Sequence, residues 1–77
     1  MDISDKIRMA ATFARISEAE LARRVNDISG GKLGKTSQSF GQRLKTGKFT
    51  TEEREQIAEA LGAKHIEFFE FPDGTKI

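Results

Sequence analysis

Cysteine is absent from the 77 residues, which excludes a disulfide framework and a thiolate-held metal. The absence fits a reducing compartment, so a cytoplasmic location is expected. There is one histidine, His65, with no second imidazole or thiolate to share a metal. No apolar run approaches the roughly 18 residues that span a bilayer. Residues 1–5 carry neither the basic start nor the apolar stretch of a signal peptide. Internal repeats and low-complexity segments are lacking as well. The length leaves room for one domain, residues 1–77, and a chain this short buries too little surface for generous stability. A dimer interface is the natural reinforcement.

Charge of one sign is also scarce in bulk: the net charge is +1. Its distribution is uneven. Residues 1–22 carry −1, residues 23–48 carry +6 and residues 49–77 carry −4. The middle block holds Arg23, Arg24, Lys32, Lys35, Arg43, Lys45 and Lys48 against the single acid Asp27. A basic block between acidic flanks is either a footprint for a polyanion or a solvated basic face.

Apolar spacing predicts helices over the first two-thirds. Ile3, Ile7, Ala10, Ala11 and Ala14 recur at helical intervals, giving a first helix over about 3–14, started by Asp2 or Ser4. Ser17 and Glu20 form a capping-box pattern for a second helix faced by Leu21, Ala22 and Val25. Residues 26–35 break the periodicity, with three glycines in five positions. Thr36 caps a third helix over about 37–46, with Phe40 and Leu44 buried and Gly47 ending it. Thr50 and Glu53 open a fourth helix whose inward face is Ile57, Ala58 and Leu61, closed by Gly62. The tail is rich in aromatic and β-branched residues. Pro72-Asp73-Gly74 reads as a turn, so a β-hairpin over about 66–77 is expected, with a short fifth helix over 64–70 as the competing reading.

The third helix has an apolar back and a polar, basic front. Ser37, Gln38 and Ser39 occupy its first turn, and Gln42 and Arg43 lie one turn on. Gln pairs bidentately with adenine, Arg with guanine, and Ser with either. Lys35, Lys45 and Lys48 suit phosphates, as do the N–H groups near Thr36. Two helices with such a second member form a DNA-reading pair, here spanning about 17–46.

At these residues the chain resembles the Cro/λ-repressor helix-turn-helix family. Leu21-Ala22-Arg23-Arg24-Val25 matches the family's second helix. Gly34-Lys35-Thr36-Ser37-Gln38-Ser39-Phe40 matches its turn and recognition-helix start. Leu44-Lys45-Thr46-Gly47-Lys48-Phe49 matches the end of that helix, and Ile57-Ala58-Glu59-Ala60-Leu61-Gly62 looks like the fourth helix. The tail from Phe68 to Ile77 is similar to short repressor-like proteins of phages and mobile elements. The resemblance implies a mainly α, λ-repressor-like domain of about four helices with a C-terminal hairpin. It implies a sequence-specific repressor that binds double-stranded operator DNA as a homodimer.

Two positions depart from the family. The helix pair is usually joined by about three or four residues, whereas Val25 and Gly34 are separated by the eight residues Asn26 to Leu33. The added segment either loops out, extends the second helix or carries a contact of its own. The family often has a phosphate-binding Gln where this chain has Glu18. The alternative expectation is therefore a protein-interaction module on a helix-turn-helix scaffold that has lost DNA binding.

Other features carry plainer readings. Ser29 to Thr36 nearly match a Walker A loop, with Ser29 where the first glycine belongs. A phosphate-cradling loop needs a preceding strand, and Ala22 to Ile28 read as a basic helix. Glu52, Glu53 and Glu55 stand at a helix start, where they complement the macrodipole. Phe68, Phe69, Phe71 and Ile77 are expected to make the dimer through the hairpin, since two strands alone are marginal in water. No enzyme activity, cofactor, membrane or small-molecule substrate is expected.

Overall fold

The computed structural model describes residues 2–33, 36–65 and 69–77, apart from the Ser37 side chain. The sequence expectations on Lys35, on the Ser37 side chain and on Phe68 lie outside what is described.

Local chemistry sets the helix starts. Helix α1 (Ile3–Phe13) begins where the Asp2 carboxylate accepts from the Asp5 N–H at 2.9 Å. Helix α2 (Glu18–Ser29) begins where the Ser17 hydroxyl accepts from the Glu20 N–H at 3.1 Å. Helix α3 (Ser37–Thr46) starts at Thr36 in the same way, and helix α4 (Thr51–Ala60) at Thr50. Only the last is a full capping box, because the Glu53 carboxylate also accepts from the Thr50 N–H at 2.8 Å. At Ser17 the expected return bond is replaced: the Glu20 carboxylate turns to Arg23 and Arg24.

Helix α2 packs against α1, α3 and α4 and is the centre of the fold. Its inward residues Leu21, Ala22 and Val25 meet Ile7 and Ala10 of α1, Phe40 and Leu44 of α3, and Ile57 and Ala58 of α4 in one apolar core. The buried Ser4 hydroxyl donates to the Leu44 carbonyl and ties the start of α1 to the end of α3. Gly47 ends α3 at φ 66°, its N–H on the Arg43 carbonyl at 3.1 Å, and stands beside Ser4.

Of the readings left open for the added segment, extension of the second helix accounts for its first half. Helix α2 runs to Ser29 and is closed by Gly30 at φ 66°, with the Gly31 N–H on the Asn26 carbonyl at 3.0 Å. The buried Ser29 hydroxyl then accepts from the Leu33 N–H at 3.3 Å, and the Leu33 side chain is fully buried. Leu33 is thus a core residue, which its glycine-rich surroundings did not indicate.

The described residues of 64–70 are strand and not the fifth helix of the competing reading. Strand β1 (Lys64–His65) pairs antiparallel with β2 (Phe69–Glu70), His65 facing Phe69 and Lys64 facing Glu70. The chain then turns through Pro72, Asp73 and Gly74 and comes back. Phe69 and Ile77 exchange N–H to carbonyl bonds of 2.8 and 2.9 Å, and the Phe71 N–H reaches the Thr75 carbonyl at 2.8 Å. The expected hairpin exists at 69–77, and a further short strand precedes it and packs on α4.

Candidate nucleic-acid interface

Helix α3 has two distinct faces. Phe40 and Leu44 are buried in the core, while Gln38, Ser39, Gln42 and Lys45 are exposed. Gln38 and Gln42 are one turn apart and Lys45 follows on the same side. At the head of the helix the exposed Thr36 hydroxyl donates to Ser39 Oγ at 3.1 Å and accepts from the Ser39 N–H at 3.1 Å. The Ser39 hydroxyl is thereby held at the first turn with its own proton available to an acceptor.

Arg43, expected at a base edge, is paired within the chain. Its Nη2 donates to Glu53 Oε2 at 2.8 Å and to the Lys48 carbonyl at 3.3 Å. The guanidinium also lies 5.5 Å from the centre of the Phe49 ring. Arg43 therefore braces the end of α3 against the start of α4. Burial pushes the Glu53 carboxyl up, but the Thr50 N–H and the Arg43 guanidinium outweigh it and hold the group below its ordinary value. That outcome favours a carboxylate already paired, and the arginine charge is spent inside the fold.

The arginines of α2 are also paired, but at the surface, where solvent screens them. Arg23 and Arg24 both donate to Glu20, which their hydrogen bonds pull down to about 2. Arg23 further meets Asp27 at 3.3 Å, and Arg24 reaches the Ala60 carbonyl at 3.3 Å. Glu18, the family departure, faces Arg8 at 3.7 Å. By contrast Lys32, Lys45 and Lys48 are exposed and have no ion pair among the described residues. The sequence carries no acidic residue from Ile28 to Thr51. The basic block thus narrows to lysines on α3 and its flanks, with polar groups between them.

Of the residues expected at a dimer interface, Phe69, Phe71 and Ile77 pack on the core of the single chain. Phe69 is fully buried and Phe71 is 6% exposed within the single chain, and Ile77 packs half-buried on the same core. The Phe71 ring sits 4.6 Å from that of Phe13. Phe69 and Phe71 lie two apart in the extended tail and share one face, and that face is turned to the core of the chain. No sequence signal distinguished a core from an interface destination.

His65 packs against the Phe69 ring at 5.0 Å; burial, then Arg54 and Lys6, hold its imidazole below the ordinary range. No group of three His, Asp or Glu suited to a metal occurs among the described residues. The near-Walker segment follows a helix, with Ser29 as its last residue and Gly30 as its cap. No described helix is long and apolar enough to cross a membrane. No family model, curated protein or solved structure matches the chain.

Proposed function

We propose that this chain is a sequence-specific DNA-binding regulator of the Cro/λ-repressor type, with α3 as the helix that enters the major groove. The observation that carries the reading is the outer face of α3. Gln38, Ser39, Gln42 and Lys45 stand exposed on a helix whose back is fixed by Phe40 and Leu44, within an acid-free stretch of chain. Helix α2 supports α3 from behind, as the first member of such a pair does. Lys32, Lys45 and Lys48 neutralise phosphates, and side chains of the first turn meet base edges. The proposal includes a homodimer on a two-fold operator, which sets two such helices about one DNA turn, roughly 34 Å, apart.

A second reading, a protein-interaction module, is favoured by one observation: α2 runs on to Ser29, and the link to α3 then takes residues 30–36. Mobility shift against a random duplex pool, repeated across salt concentrations, separates the two. Binding to duplex that falls steeply with salt supports the regulator. Failure to retard any duplex at low salt would leave the interaction module standing.

A further inference from the structure

We infer that base readout by this chain is directed at adenine, through Gln38 and Gln42, and that Arg43 takes no part in it. The inference rests on the proposed DNA-binding reading and deepens it. Recognition of guanine in the major groove is chiefly the work of arginine or lysine, whose paired donors match O6 and N7. The arginine on α3 is withdrawn from such work. Its guanidinium is held by the Glu53 carboxylate, the Lys48 carbonyl and the Phe49 ring at once. Freeing it would give up all three contacts and leave the half-buried Glu53 without its cation.

The first six residues of the helix, Ser37 to Gln42, carry no charge. Gln38, Ser39 and Gln42 are exposed there, and Lys45 comes only in the last turn. A glutamine amide offers one donor and one acceptor side by side, which matches N7 and N6 of adenine. Ser39 is held by Thr36 and serves either base. Spacing adds a second constraint. Four residues of helix rise about 6 Å, close to two base steps of about 3.4 Å each. With α3 lying along the groove, Gln38 and Gln42 address adenines about two steps apart on one strand. Arg43 is then a positioning residue that fixes how α3 leans on α4.

The test is selection of bound duplexes from a randomised pool, followed by affinity measurements on the enriched site. Wild-type protein is expected to enrich A·T pairs two steps apart. Replacing either adenine by 7-deaza-adenine, which lacks the N7 acceptor, is expected to weaken binding about tenfold. Gln38→Ala should lose its sensitivity to one of the two replacements. Arg43→Met, checked by circular dichroism to be folded, should keep the same enriched sequence while binding every duplex more weakly. Enrichment of G·C pairs, with that preference erased in Arg43→Met, overturns the inference while leaving DNA binding intact. Absence of binding to any duplex overturns both.

Discussion

At the scale of single residues, the Arg43–Glu53 pair shows how one contact can redirect a side chain. The two side chains are 34% and 19% exposed, so solvent screens the pair in part. A hydrogen bond between charged groups contributes about 1.5–3 kcal/mol when well sheltered. Partial exposure brings the pair below that range, and Arg43→Met is expected to cost about 1 kcal/mol in urea unfolding. The pH dependence has a definite sign. Glu53 is held below its ordinary value of 4.5 in the folded chain. Its contribution is therefore complete above the unfolded value and fades as pH falls through the folded one. Glu53→Gln should melt lower than wild type at neutral pH, and the gap should narrow progressively as pH falls below the ordinary value of 4.5. A gap that stayed constant throughout that acid range would mean that the carboxylate's charge contributes nothing.

At the scale of elements, the helix ends divide into those marked by glycine and one that is not. After α1 the Arg15 N–H bonds to the Thr12 carbonyl at 3.1 Å and the Ile16 N–H to the Ala11 carbonyl at 2.9 Å, with Arg15 at φ 60°. This is the bonding of a glycine-terminated helix with an arginine in the left-handed position. A side chain there costs about 1–2 kcal/mol, while glycine loses about 0.5–1 kcal/mol more entropy on folding. Arg15→Gly should therefore stabilise the chain by about 0.5–1 kcal/mol, and Gly30→Ala, at φ 66°, should destabilise it by about 1 kcal/mol. Calorimetry of the two variants gives both signs. Leu33 offers a related check: its burial predicts a loss of about 2–4 kcal/mol for Leu33→Ala, and slow exchange of its N–H. The boundaries of α1, α3 and α4 and the start of α2 were largely legible because capping is local: Asp2, Ser17, Thr36, Thr50, Gly47 and Gly62 act within a few residues of themselves, whereas the run of α2 on to Ser29 was one of several readings left open. The burial of Leu33 was not legible, since it depends on where the lengthened α2 delivers the chain. Likewise Gln38 and Gln42 were legible as an outward face, but Arg43 meets Glu53 ten residues away, and nothing between them announces the pairing.

At the scale of the whole molecule, the question is what the aromatic tail does. A chain of this size has one small core, and its stability is expected near the lower end of the 5–15 kcal/mol range of natural domains. Phe69 is fully buried and paired in register with His65, while Phe71 covers Phe13 of α1. The tail is thus a wall of the core, bonded to itself by the Phe69–Ile77 and Phe71–Thr75 backbone pairs. Truncating a buried Phe to Ala typically costs about 3–5 kcal/mol. Placing an ammonium at that site adds the cost of an unpaired buried charge. Together these rival the whole stability. Phe69→Lys is therefore expected to lose its cooperative thermal transition and much of its helical circular dichroism. By contrast Met9→Lys, at a side chain 45% exposed, should melt close to wild type. Sedimentation run beside the melts distinguishes a core role from an interface role. A Phe69→Lys protein that kept a sharp transition, while sedimenting at half the wild-type mass, would show that Phe69 holds two copies together and not one chain.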